Sequence, residues 1–175
     1  MPGRTLSGES ILYGGLDSPL GRVWLASSPA GICALSWTSQ DENSFCEWLH
    51  RRFAREVQPN ARTLRPYLQQ ISEYFQGRRT RFDMPLNLEA VSAFDLLVLR
   101  RTARIPFGKT VTYGEIAKGI GRPKASRAVG GALGRNPLPL IIPCHRVLTS
   151  QGKPGGFSGG GPAVKQWLLR FEKAV

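Results

Sequence analysis

Apolar and polar positions alternate early in the chain and recur at helical spacing later. Ile11-Leu12-Tyr13 and Arg22-Val23-Trp24-Leu25-Ala26 have strand composition and flank Ser18-Pro19-Leu20-Gly21, a tight-turn sequence, so they predict a hairpin. After a second turn at Ser28-Pro29-Ala30-Gly31, the stretch Ile32 to Trp37 predicts a third strand. From Asp41 to Arg55 the apolar residues Phe45, Trp48, Leu49 and Phe53 share one helical face, and Leu64, Leu68, Ile71 and Phe75 do so between Leu64 and Gln76. Arg78-Arg79-Thr80-Arg81 then leads into Met84-Pro85-Leu86-Asn87, which reads as a linker.

Beyond the linker the pattern is helical. Phe94, Leu97, Val98 and Leu99 run with Arg100, Arg101 and Arg104 outside them and stop before Ile105-Pro106-Phe107-Gly108. Thr112 with Glu115 forms a capping-box signature for a short helix through Ile116, Ala117 and Ile120, closed by Gly119-Ile120-Gly121. Pro123 suits the first turn of a second helix whose stripe is Ala125, Ala128, Val129, Ala132 and Leu133, ending at Gly134-Arg135-Asn136-Pro137. Two short helices joined by a glycine turn predict a helix-turn-helix. Gly130 and Gly131 each cost such a helix about 1 kcal/mol relative to Ala. Two compensations stay open: close packing on a neighbouring helix, or close approach to a nucleic acid. The fold class is therefore α/β (α+β), with a sheet-and-helix domain over residues 1–83 and a mostly helical one over 88–175.

Charge sharpens this division. Residues 1–99 balance ten Lys and Arg with ten Asp and Glu, whereas residues 100–175 hold fourteen Lys and Arg against only Glu115 and Glu172. The whole net charge of +12 thus belongs to the C-terminal part, which predicts a nucleic acid partner ahead of anionic lipid. At 175 residues and 41% hydrophobic content the chain can bury a core. Met1 to Ser10 has no apolar signal region and no run of eighteen apolar residues occurs, so a soluble protein without an export signal is expected, acting in the cytoplasm or, in a eukaryote, the nucleus. Cys33, Cys46 and Cys144 are odd in number and widely spaced, which suits a reducing compartment rather than a disulfide framework.

The candidate chemistry sits at Ile141-Ile142-Pro143-Cys144-His145-Arg146-Val147, where a thiol follows an apolar run beside an imidazole in the most basic region. A neighbouring His and positive charge ease deprotonation of a thiol, and the thiolate is a strong nucleophile. A cysteine in an apolar run is by default an inert core residue, which is the reading for Cys33. Cys46 and His50 lie four apart on one helix, but two ligands do not make a zinc site, and no metal is expected.

Pro143-Cys144-His145-Arg146-Val147, with Arg127-Ala128-Val129-Gly130-Gly131-Ala132, Asn136-Pro137 and Gly156-Phe157-Ser158-Gly159-Gly160, resembles the O6-alkylguanine-DNA alkyltransferases. Ile105-Pro106-Phe107-Gly108, Val111 to Ala117 and Trp167-Leu168-Leu169 through Glu172 extend the resemblance over residues 94–175, with a looser match before them. It implies a ribonuclease-H-like N-terminal domain and a winged-helix-like C-terminal one. It implies that Cys144 accepts an alkyl group, that His145 is its base through a water, and that Glu172 orients the imidazole. Tyr113 would bond the guanine ring and help the leaving base, and Asn136 would hold the turn before the active-site segment. Val147, Phe157, Ser158 and Gly159 would line the base pocket. Arg127 would fill the gap left by the extruded nucleotide, with Ser126, Ala128 and Gly130 close to the DNA and Lys109, Arg122, Lys124 and Arg135 on phosphates.

The implied partner is double-stranded DNA carrying O6-alkylguanine, or O4-alkylthymine, bound by a monomer, cooperatively on DNA, with no membrane and no cofactor. The chain departs from the family in Gly159-Gly160-Gly161-Pro162, one residue longer than the usual loop, and in Phe157, where Tyr is common. It also lacks the Gln and Trp usual after Phe94. Two other readings are a lesion-binding or regulatory helix-turn-helix protein without chemistry and a Cys-His hydrolase.

Overall fold

The computed structural model describes residues 10–38 and 41–175, so the reading of Met1 to Ser10 falls, except for Ser10, outside the described residues. The chain divides into two compact units, Met1–Ala90 and Val91–Val175.

In the first unit, β1 (Ile11–Ser18), β2 (Gly21–Ser28) and β3 (Gly31–Ser36) form an antiparallel meander. Each turn is set by a serine: the Ser18 and Ser28 hydroxyls accept from Leu20 N and Ala30 N and donate to Gly21 O and Gly31 O. Gly21 (φ 96°) and Gly31 (φ 136°) supply the left-handed residue that such turns need. At Gly31 a Cβ would also lie 2.7 Å from the Pro85 carbonyl oxygen, so only glycine fits there.

α1 (Glu42–Phe53) is capped by Asp41, whose side chain accepts from Ser44 N at 2.7 Å, and α2 (Ala61–Phe75) by Asn60, which accepts from Thr63 N at 3.0 Å. Between them β4 (Val57–Pro59) joins β1 in parallel, giving the sheet order β3-β2-β1-β4. Three residues ending in proline carry no alternation, which is why the sequence pattern misses this strand. Tyr13, Trp24, Cys33, Phe45 and Leu49 pack into one core, so Cys33 is the inert residue expected.

Met84–Asn87 does not behave as a linker. Ile32 N donates to Pro85 O and Asn87 N to Ile32 O, each at 2.8 Å, so the segment pairs with the start of the β3 edge and belongs to the first unit. Backbone donors on an open strand edge favour this pairing over a free tether.

In the second unit, α3 (Ala93–Thr102) is capped by Ser92. β5 (Val111–Thr112) leads into α4 (Tyr113–Gly119), which has the full capping box between Thr112 and Glu115. α5 (Ser126–Gly134) begins three residues later than Pro123 suggests, because Pro123 and Lys124 form a turn ahead of it. Val129, Ala132 and Leu133 of its stripe are buried, but Ala128 faces solvent. A loop then delivers a single 3₁₀ turn, Cys144–Arg146, followed by β6 (Val147–Leu148), parallel to β5, and α6 (Gly161–Phe171). No described helix is long and apolar enough to cross a membrane.

Candidate active site

Cys144 sits on the 3₁₀ turn with 4% of its surface exposed. Asn136 fixes it: Nδ2 donates to Ile142 O at 2.9 Å and to Cys144 Sγ at 3.2 Å, while Oδ1 accepts from Leu138 N. The same side chain therefore ties the end of α5 to the thiol. Leu140 in the connecting loop holds φ 75°, a conformation that a branched residue adopts only when its surroundings impose it. The sequence suggests an acidified thiol, but burial wins and pushes the Cys144 thiol up. The Asn136 hydrogen bond and the Lys165 charge only partly offset it. A thiol in this setting stays protonated until a base removes the proton.

An imidazole is adjacent in the chain. His145 is wholly buried; Nε2 meets Glu172 Oε1 at 2.9 Å and Nδ1 has no protein partner among the described residues. Burial lowers the imidazole pKa against the pull of Glu172, so the ring is neutral and Nδ1 can accept a proton. Glu172 is itself held by Arg146, with Nε to Oε2 at 2.8 Å and Nη2 to Oε1 at 2.9 Å, and by Gly108 N at 3.2 Å. Arg146 Nη1 donates to Ile105 O at 2.6 Å, and its guanidinium lies 5.8 Å from the centre of the Phe107 ring. Ile105 to Gly108 thus serves as a wall around a buried acid, base and cation.

A cavity of ≈ 370 Å³ opens beside the thiol, lined by Cys144, Tyr113, Gly130, Leu133, Gly134, Gly156, Phe157 and Ser158. Glycines leave it room for a ligand. Lys165 reaches in from α6: Nζ donates to Val147 O at 2.6 Å and to Tyr113 OH at 3.4 Å, and burial lowers its pKa to about 8. Burial also raises the Tyr113 phenol, reinforced by Cys144.

Sequence-proposed residues divide accordingly. Asn136 bonds Cys144 and, one residue on, His145 bonds Glu172, so the four make two bonded pairs joined through the chain; Tyr113, Phe157 and Ser158 line the cavity with Cys144. Val147 and Gly159 are buried and do not line it, and the Val147 carbonyl is taken by Lys165. Arg122, Lys124, Arg127 and Lys109 are exposed, with Ser126 half-buried at the start of α5. Arg135, expected on a phosphate, is exposed but paired, with Asp95 holding it through two 2.8 Å bonds. Gly130 lines the cavity with ordinary contact to Tyr113, and Gly131 is exposed, so neither glycine is required by helix packing. Among the described residues no cluster of three metal-ligating side chains exists, and His50 Nδ1 lies against Arg55 O at 3.1 Å.

Two site residues have no role assigned to them by the sequence alone. Arg146 is visible there only as part of the cysteine motif. Lys165 has a usable signal: it shares a helical face with Leu168, Leu169 and Glu172, and a lysine on a buried stripe needs a partner.

The chain matches two family descriptions: 6-O-methylguanine DNA methyltransferase, ribonuclease-like domain, over residues 11–88, and its DNA binding domain over residues 93–174. It is 40% identical to the methylated-DNA–protein-cysteine methyltransferase of Mycolicibacterium paratuberculosis over 164 residues, covering 93% of each chain. It is 35% identical to the constitutive enzyme of that name from Bacillus subtilis, covering 92% of this chain and 94% of the relative. Among solved structures, Mycobacterium tuberculosis OGT in complex with DNA aligns with a TM-score of 0.80 at 35% identity, covering 93% of both chains.

Proposed function

The chain belongs to the 6-O-methylguanine DNA methyltransferase family, and on that premise we propose that it repairs DNA by moving an alkyl group from O6-alkylguanine onto its own Cys144, once per molecule. The observation that carries this reading is the thiol of Cys144 at the wall of a glycine-lined cavity, next to a neutral, buried His145 backed by Glu172.

The step balances with protein groups alone. His145, acting through a water, takes the thiol proton, and the imidazolium is stabilised by Glu172 at 2.9 Å. Sulfur attacks the alkyl carbon; a C–S bond forms as the C–O6 bond breaks, and the electron pair passes into the guanine ring. Tyr113 donates a hydrogen bond to the departing base, and the Lys165 ammonium beside its oxygen stabilises the charge that develops there. The thioether has no acyl carbon for water to attack, so the cysteine is spent.

Reaching the cavity requires the base to leave the stack, at a few kcal/mol of unstacking. Arg127, exposed at the start of α5, replaces the extruded nucleotide, and Lys124, Arg122 and Lys109 hold phosphates. Replacing Arg127 by Ala should slow repair about tenfold or more under sub-saturating DNA, through impaired flipping. The three phosphate contacts of Lys124, Arg122 and Lys109 alone give a log-log slope of affinity against salt of about −2.7. Titration of a labelled duplex at several NaCl concentrations, with repair followed on the same samples, measures both, and a flat profile contradicts the basic footprint.

The pH profile follows from two depressed groups. His145 keeps its base form below the usual imidazole range, whereas Lys165 loses its charge above about 8. The single-turnover rate should therefore hold from pH 8 down past the ordinary imidazole pKa and decline above pH 8. Lys165→Gln should lower the plateau and abolish the alkaline limb.

The direct test is intact mass after incubation with duplex containing O6-methylguanine. One methyl added to the peptide containing Cys144, with no further turnover under excess substrate, is the expected result. Unmodified protein in excess lesion refutes transfer, and multiple turnovers on an ester would favour the hydrolase reading instead.

A further inference from the structure

The phosphate contacts assigned above all lie around α4 and α5, but the densest run of free positive charge in the second unit is elsewhere. Arg100 and Arg101 occupy the last turn of α3 and Arg104 the turn after it, and all three are exposed. Among the described residues none of them, nor Arg122, has an ion pair or side-chain hydrogen bond. The unit's three acidic side chains are already engaged: Asp95 by Arg135, Glu115 by Thr112 and Glu172 by Arg146 and His145. A helix C-terminus favours a cation in its last turn, but this effect fades within that turn and does not account for three arginines with no anion among them.

Their placement gives the charge a direction. The Arg101 guanidinium lies across Gly119 at the end of α4, where a Cβ would come within 2.5 Å of Arg101 Nε, so the missing side chain leaves the space it occupies. Three residues further on is Arg122, followed by Lys124 and then Arg127 at the start of α5. At its other end α3 is fixed to the residue following α5 by the Asp95–Arg135 pair. The exposed arginines therefore continue the basic row of the helix-turn-helix onto a third helix.

We propose that Arg100, Arg101 and Arg104 form a second row of phosphate contacts that grips duplex DNA beside the lesion, extending the footprint beyond the helix-turn-helix. The occupant is a sugar–phosphate backbone, because the face offers a row of exposed guanidinium groups and, among the described residues of this unit, every acidic side chain is already engaged and none is left to pair with a basic partner. This rests on the reading of the protein as a DNA alkyltransferase. The second row sets how long a duplex the protein needs for full affinity and leaves the alkyl transfer step untouched.

The test compares wild type with Arg100→Gln/Arg101→Gln/Arg104→Gln on O6-methylguanine duplexes of one and three helical turns, each titrated over a range of NaCl. On the long duplex the variant's log-log salt slope should be shallower by about 2.7, at ~0.9 for each phosphate no longer neutralised. On the short duplex the slopes should coincide, and the transfer rate at saturating DNA should be unchanged. The corresponding triple Lys variant should restore the wild-type slope. Equal slopes for wild type and Gln variant on the long duplex, with transfer intact, overturn the proposal and leave this face to solvent or to an acidic protein partner. Absence of transfer in the wild type instead removes the alkyltransferase reading on which the proposal rests.

Discussion

Cys144→Ala should take up no alkyl group from O6-methylguanine duplex at any enzyme concentration, while still binding that duplex with the wild-type salt slope. The loss is complete because only this sulfur shares the cavity with Tyr113, Phe157 and Ser158; Cys33 is packed in the core of the other unit. The structural cost is small. Ala deletes one hydrogen bond, Asn136 Nδ2 to Sγ, worth about 1 kcal/mol, and Asn136 keeps its bonds to Ile142 O and Leu138 N. Mass spectrometry and binding on the same sample separate chemistry from recognition. Residual transfer by the Ala variant would place the acceptor elsewhere and remove the central assignment.

Glu172→Gln should damage both fold and chemistry. The carboxylate neutralises Arg146, whose side chain is 6% exposed, and bonds His145, which is wholly buried. Removing one partner of such a pair leaves an uncompensated charge, a cost of about 3–5 kcal/mol. Chemical denaturation should record that loss. The rate should fall by roughly 10²–10⁴, the range of a general base, because the imidazolium formed on proton transfer would have no anion beside it. Both effects are expected in the same variant, and single-turnover rates measured well below its melting temperature isolate the second. A stable variant with wild-type rate would show that His145 works unaided.

Much of this site is legible in the sequence because its chemistry clusters there. Cys144 and His145 are adjacent, Asn136 lies just ahead, and Glu172 is the only late acid. The hairpin, the capping box at Thr112 and the helix faces follow from periodicity and turn residues, which act locally. What escapes depends on contacts between distant residues. β4 owes its existence to β1, and Met84–Asn87 to the open edge of β3, neither of which leaves a local pattern. Arg135 reads as one more surface cation until Asp95, forty residues away, is seen to hold it. The thiol's acidity is misjudged for a related reason: neighbours in sequence suggest stabilisation of a thiolate, whereas its desolvation is decided by the whole surrounding fold.

A protein consumed one molecule per lesion protects a genome in proportion to how much of it the cell can keep dispersed, and the rims of its sheet bear on that abundance. One rim belongs to the six-residue β3, bridged at Ile32 by Leu86, and the other is only three residues long and ends at Pro59. Among the described residues both rims are short, which gives a second copy little length on which to add a strand, so the sheet is poorly suited to nucleating aggregation at high expression.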